Sequence, residues 1–518
     1  MSGPRALFTP FANKAEKIEL DANLVAETNV EPWALQFKLG TAGYRDLLDP
    51  EDLFNFDVPF NGLSAALILE ARAQLADEAG IKSLHIGGEV RPHTQEFIDI
   101  AARIYTAHGI SVHLRPKGMR TTPIWLSSFG VFYNELDGGE NFTASHSQNY
   151  KGGWKPMEAA GGQLLEMAGM IADKVRELVA QAKAEGITIE LAASGNDLYH
   201  YDFDPVDAYV DVLKKVVPQT LIDEIAPATA KGFRAGFCTE GGSMAPTARR
   251  IFDALDVTMD DGGSVFFTHE EESDTFHGIG ILDGVNHGVD PGKWQVYKYV
   301  GAQELLRDKQ CDVFFIWDPD GDRFNMVTVA PAAQAEEFKA AGLEVDPLDD
   351  DRCCVFFKPN QIYFMLTALK IQSLEEAGEL GNYNWIVAST FPTSMSIGEV
   401  ATTFNKRSDA ALATYRVPVG FKYFASLVGD LEKQLADGVE ETCATDVTGI
   451  KTVFGSKPRL LMMAEESGGA AMGPAEPVHS RTGKNTSLAA KEKDAMQIGL
   501  MSLCLGARLH TQGGSFAA

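Results

Sequence analysis

The strongest constraint on the fold is an alternation, sustained over most of the chain, of short apolar runs with longer segments whose apolar residues recur at helical spacing. Strands separated by helices are joined by crossover connections, so the expected fold class is α/β, with mixed, largely parallel sheets. Residues 61–79 (NGLSAALILEARAQLADEA) have helical spacing and stop at Gly80. A strand at LHIGG (84–88), a helix over 94–108 stopped by Gly109, and a strand at ISVHLR follow. A second series begins near residue 205, after the polar ASGNDLYHYDFD. It holds a strand at FRAGFCT, the turn EGGS, helices at MAPTARRIFDALD and WQVYKYVGAQELLRD, and a strand at CDVFFIW. From about residue 333 a third series runs through helix QIYFMLTALKIQSLEEAG, strand NWIVAST, helix FKYFASLVGDLEKQL, strand RLLMMA and helix KDAMQIGLMSLCLGARL. Between the second and third, PAAQAEEFKAAGLEVDPLDDD reads as a hinge or surface insertion. No short-period repeat points to a solenoid.

A chain of 518 residues, 45% hydrophobic, has material for about three cores. No stretch approaches the roughly 20 unbroken apolar residues of a membrane span. The start, MSGPRALFTPFANKAEK, lacks an apolar core followed by a cleavage site, so a cytoplasmic protein is expected. Six cysteines, scattered without a CxxC pair or a histidine cluster, read as reduced buried thiols. The net charge of −27 argues against nucleic-acid or anionic-membrane partners, so an anionic substrate needs a local cluster of basic groups.

In open α/β sheets, function collects in loops at the carboxyl ends of strands. One such loop, TASHSQNYKGGWK (143–155), gathers Ser145, His146, Lys151 and Lys155. A hydrolase reading fails: there is no G-x-S-x-G elbow, and His146, as the next residue, is badly placed to serve its own neighbour as base. After the strand VFFIW comes DPDGDR (318–323). Its alternating carboxylates, with Gly321 permitting a tight turn, can converge three hard oxygen donors on a small cation such as magnesium. An EF-hand is excluded, because Arg323 stands at its glycine position and Val329 at its final glutamate. LGTAGYRD (39–46) ends in Arg45, a guanidinium suited to phosphate, yet taken alone it reads as a structural turn. In AEESGG (464–469), adjacent carboxylates suit sugar hydroxyls or, equally, a solvated helix start. SRTGKNTS is no P-loop, since Asn485 follows Gly483-Lys484 and Val478 replaces the first glycine.

Taken in order, GTAGYR, TASH with a lysine ten positions after its serine, DPDGDR, VGFK and EESG resemble the loop set of the α-D-phosphohexomutase superfamily, the phosphoglucomutases and phosphomannomutases. The resemblance covers about residues 38–510, with TASH and DPDGDR its specific part; IGGEVR is similar to the family's G-G-D-x-R strand end, and TTPI (121–124) agrees as well. It implies three consecutive similar α/β/α domains around a central cleft: residues 1–200 with the phosphoserine loop, 201–332 with the metal loop and 333–518 with the sugar-recognition loop. Ser145 would be a phosphoserine, and magnesium would be held by Asp318, Asp320, Asp322 and the phosphate on Ser145. The implied activity is that of an isomerase of carbohydrate metabolism, interconverting hexose 1-phosphate and hexose 6-phosphate through a bisphosphate, with glucose 1,6-bisphosphate as activator. Arg45, Lys155 and Arg323 would neutralise phosphate charge, with Lys155 as general acid or base and His146 as a supporting donor. Glu465 and Ser467 match the family's E-x-S for sugar recognition. Gly420 and Lys422 match its G-[WF]-K-[FY]-F, and Arg91 at the strand end joins the substrate-binding set. KEKDAMQ, similar to R-E-K-D-G, tilts the sugar toward glucose over mannose.

Three departures stand out: Ser147-Gln148 replaces the usual Asn-Pro, Pro319 replaces the first glycine of the metal loop, and Gly469 stands where some relatives have histidine. The fourth-domain loop R-x-S-G-T-E-P has no match after KEKD. The stretch 473–487, with Arg481 and Lys484, reads either as a partial substitute phosphate site or as a surface loop. Self-association or a partner chain could supply the missing phosphate-binding domain. The alternatives are a phosphomannomutase, a catalytically impaired sugar-phosphate-binding paralogue, and a phosphatase or phosphotransferase leaky to water.

Overall fold

The computed structural model describes residues 6–40, 43–164, 167–257, 263–406 and 411–517. The chain divides into two compact units, Met1–Pro205 and Val206–Ala518.

The first unit is built on a six-stranded sheet in the order Tyr44–Leu47, Lys151–Glu158, Gly138–Phe142, Ser83–Gly88, Ser111–His113, Tyr199–His200. The last four run parallel and the first two are antiparallel additions. Helix Gly62–Glu78 is apolar on nearly every face because nearly every face is buried. It starts where Asn61 caps it, its side chain accepting from the Leu63 and Ser64 amides, while the Ser64 hydroxyl accepts from the Asn61 amide. Its buried Arg72 is neutralised by Glu140 at 3.0 Å. The same carboxylate oxygen accepts from the Tyr105 hydroxyl (2.7 Å) and the Trp154 indole (2.8 Å). A separate antiparallel pair joins Glu16–Leu20 to Ile187–Leu191.

The second unit carries two principal sheets. The first has six strands in the order Val265–Thr268, Ala235–Cys238, Val313–Trp317, Phe324–Pro331, Arg352–Phe356, Glu344–Pro347, parallel over the first three and antiparallel beyond. In the second, Ala411–Val417, Asn384–Thr390 and Pro458–Ala464 run parallel, with Ala470–Ala471 as an antiparallel edge. The α/β class with mixed, parallel-centred sheets is therefore as the alternation implies. Two local expectations need correction. The segment read as a hinge or insertion supplies the edge strand Glu344–Pro347, anchored by buried Leu343 and Leu348 on either side. The single helix expected over WQVYKYVGAQELLRD is two, Trp294–Tyr299 and Ala302–Arg307, broken where Gly301 turns left-handed (φ 70°). All six cysteines are free thiols, and five of them are buried. Among the described residues no helix is long and apolar enough to cross a membrane.

Candidate active site

In the first unit the serine loop leaves the carboxyl end of strand Gly138–Phe142 and returns as strand Lys151–Glu158. Ser145 is buried and left-handed, with φ 52°, a conformation that costs a residue with a Cβ about 1 kcal/mol and so must be imposed by its surroundings. Glu89 and Arg91 impose it. One oxygen of Glu89 accepts from the Thr143 hydroxyl (2.6 Å) and from the amides of Ala144 (2.9 Å) and Ser145 (3.1 Å). Arg91 donates to the carbonyls of Ser145, Ser147 (3.0 Å), Gln148 (2.7 Å) and Lys151 (2.9 Å). The turn at Ser145 also brings its Oγ to 3.2 Å from His146 Nδ1. The expectation that the following histidine is badly placed for its neighbour is thus corrected, because the left-handed backbone folds the two side chains together.

Lys155 is buried on the returning strand, opposite Asn141, and Arg45 lies on the next strand out, opposite Gly153. Gly153 permits this crowding: a Cβ there would stand 2.3 Å from the Thr143 carbonyl oxygen and 2.7 Å from that of Tyr44. The sheet register so gathers Ser145, His146, Lys155 and Arg45 at one edge of the unit. Arg45 keeps a buried Nε with no hydrogen-bond partner among the described residues, as suits a guanidinium that awaits an anion. Thr41 and Ala42 of GTAGYR lie outside the described residues.

In the second unit, DPDGDR follows strand Val313–Trp317, at the carboxyl end of that sheet's parallel portion. One oxygen from each of Asp318, Asp320 and Asp322 lies within 4.8 Å of the others, all three residues being buried. Burial first, then the charges of Asp320 and Asp322, holds the Asp318 carboxyl well above the ordinary aspartate range. The turn is fixed by Asp318 Oδ1, which accepts from the amides of Asp322 (2.9 Å) and Arg323 (2.8 Å). Pro319, the departure from glycine, turns its carbonyl to the Ser243 amide (2.8 Å) and hydroxyl (2.7 Å). A buried trio of hard oxygen donors with mutual repulsion fits a magnesium ion. Arg323 pairs with Asp290 at 3.1 Å.

The EESG loop adjoins this turn, for the Phe324 amide donates to the Gly468 carbonyl at 3.1 Å. Glu465 is buried, and its carboxylate accepts from the Gly420 amide (2.9 Å) and the Ser467 hydroxyl (3.4 Å) and meets Lys493 Nζ at 3.1 Å. Glu465, Ser467 and Gly420 are therefore together. Lys422, the first residue of helix Lys422–Ala436, instead holds its ammonium 5.3 Å over the Tyr423 ring. Gly469 has a packing reason: a Cβ there would sit 2.3 Å from Lys493 Cδ. Lys493 and Glu89 are the site-facing residues that sequence reading left out, though both lie inside quoted motifs, KEKD and IGGEVR.

The family model "Phosphoglucomutase/phosphomannomutase, alpha/beta/alpha domain I" matches residues 37–183. No match was found among curated proteins. Among solved structures, a putative phosphomannomutase from Thermus thermophilus shares 18% identity at a TM-score of 0.59, over 92% of this chain and 81% of that one. The exocytosis-sensitive phosphoprotein pp63/parafusin (phosphoglucomutase) from Paramecium, in its open form, shares 17% at a TM-score of 0.61, over 96% and 73%. A phosphoglucomutase/phosphomannomutase family protein from Burkholderia thailandensis shares 15% at 0.53, over 90% and 76%. These likenesses are of fold. The family match falls within the first unit and covers residues 37–183.

Proposed function

We propose that this protein is a phosphosugar mutase that interconverts the 1- and 6-phosphates of a hexose, with glucose as the preferred sugar. The observation that carries the reading is the Asp318, Asp320 and Asp322 cluster, three buried carboxylates with one oxygen of each within 4.8 Å of the others, whose mutual repulsion a bound cation would relieve. Further support comes from a serine loop whose reactive residue is held in a strained conformation by a dedicated ion pair.

The chemistry proceeds in two balanced transfers. In the first, the phosphoryl group leaves Ser145 Oγ for the free hydroxyl of the sugar monophosphate; that hydroxyl's proton passes to a base, and Ser145 Oγ takes up a proton as it is released. In the second, Ser145 Oγ gives up that proton as it takes the phosphoryl group from the other phosphate of the bisphosphate, and the released sugar oxygen gains a proton. Lys155 is the proton carrier and His146, 3.2 Å from Oγ, the supporting donor. A bound magnesium ion supplies charge neutralisation on the transferring group. Arg45 and Arg323 bind phosphate oxygens, and Glu465 with Ser467 accepts and orients sugar hydroxyls. The preference for glucose rests on the likeness of VGFKYF and KEKD to phosphoglucomutase motifs, and glucose 1,6-bisphosphate is the priming donor.

The test is intact-mass spectrometry after incubation with glucose 1,6-bisphosphate and magnesium. Gain of one phosphoryl group, absent in Ser145→Ala and after chelation, is the expected result. A modification that survives in Ser145→Ala overturns the reading.

A further inference from the structure

We propose that Glu89 and Arg91 are positioning residues that hold Ser145 in its transfer-competent conformation, and that Arg91 binds no substrate. The proposal rests on the mutase reading for its kinetic consequence and on the geometry of the loop for its structural one.

The two side chains are 0% and 2% exposed and meet at 2.7 Å just beyond the strand Ser83–Gly88. A buried ion pair is a poor source of net stability, so its presence calls for another account. The hydrogen bonds supply it. A guanidinium has five N–H donors. In Arg91 these meet Glu89 Oε1 and the carbonyls of Ser145, Ser147, Gln148 and Lys151. That set saturates the group and leaves nothing for a substrate phosphate. Glu89 Oε1 in turn takes Thr143, Ala144 and Ser145. Both the amide and the carbonyl of Ser145 are therefore fixed by one ion pair, on either side of a left-handed φ of 52°. The loop from 143 to 151 has no proline to stiffen it, so this clamp carries its rigidity. Lysine, with three donors on one point, cannot span four carbonyls and a carboxylate.

Four full-length proteins decide it: wild type, Arg91→Lys, Glu89→Gln and Arg91→Ala. Each is assayed for kcat and KM on glucose 1-phosphate with magnesium, and for amide hydrogen exchange across residues 143–151. A displacement of about 1 Å at a reacting atom costs on the order of 100-fold in rate. Arg91→Lys is expected to lose kcat on that scale with KM within about threefold, and to lose exchange protection in the loop. Glu89→Gln keeps an acceptor oxygen but not the ion pair, and is expected to fall between wild type and Arg91→Lys in both readouts. In Arg91→Ala, added guanidinium is expected to restore part of kcat. Should Arg91→Lys fail to fold, Glu89→Gln alone carries the comparison. Raised KM with unchanged kcat would make Arg91 a substrate ligand and overturn the proposal, and so would unchanged loop exchange in both Arg91→Lys and Glu89→Gln. Inactive wild type would sink the mutase reading, while loop exchange would still judge the clamp.

Discussion

Asp494 is the point at which pH acts most directly on the second unit. It caps helix Ala495–Thr511, its Oδ1 accepting from the Gln497 amide at 3.1 Å, and it accepts the Tyr209 hydroxyl on both oxygens at 2.9 and 2.7 Å. Burial outweighs these hydrogen bonds and pushes its carboxyl up to about 7. An aspartate in the unfolded chain titrates near 3.9, so between that value and about 7 the native state binds more protons than the unfolded one. Stability from this group is therefore whole below about pH 4, declines as pH rises, and is lost through about pH 7. At about 1.4 kcal/mol per unit, with about one and a half units of that span above pH 5.5, the loss between pH 5.5 and 8.5 is about 2 kcal/mol. Asp494→Asn keeps an acceptor for both donors and removes the titration. Urea unfolding is followed by tryptophan fluorescence, which Trp317 makes sensitive to this region through its 2.9 Å bond to the Ala495 carbonyl. Wild type is expected to lose about 2 kcal/mol more than the variant between the two pH values. Equal losses would refute the reasoning.

Other consequences are as direct. Magnesium at about 100 times its dissociation constant should stabilise the fold by about 2.7 kcal/mol. The raised Asp318 carboxyl makes protons compete with the ion, so the gain in thermal midpoint should be larger at pH 8 than at pH 6 and largely absent in Asp320→Asn; an equal gain in that variant would count against the metal site. Gly153→Ala drives a methyl to 2.3 Å from the Thr143 carbonyl and should cost about 2 to 3 kcal/mol, whereas Gly169→Ala, in helix Met167–Glu185 with nothing within 4 Å, should be neutral or stabilising in the same thermal melt. Lys493→Met strips Glu465 of its cation at 3.1 Å and should cost about 3 kcal/mol, much of it recovered in the double variant with Glu465→Gln. Additive losses in denaturant unfolding would show the pair to be uncoupled.

Local signals survive translation into structure where a single segment contains its own cause. Asn61 and Gly80 bracket helix Gly62–Glu78, as the helical spacing over 61–79 implies, and the alternating carboxylates of DPDGDR do converge, because Gly321 turns left-handed and Asp318 Oδ1 accepts from the Asp322 and Arg323 amides within the motif itself. Features made by partners far apart in sequence were not legible. The hold of Glu89 and Arg91 on residues 143–151 and of Lys493 on Glu465 depends on which strands become neighbours, and no local pattern encodes that. Strand Glu344–Pro347 is half exposed and carries little alternation; pairing with Arg352–Phe356 makes it a strand. Residue Gly301 was readable as a helix breaker, but its left-handed φ follows only from the second helix starting there.

The most direct trial of the central claim follows α-glucose 1-phosphate by phosphorus NMR, with magnesium and a trace of glucose 1,6-bisphosphate, in wild type and Ser145→Ala. Glucose 6-phosphate formed by wild type alone is the predicted result. Its absence from both, with mannose and glucosamine phosphates equally inert, or its appearance in both, would contradict a phosphoserine mutase.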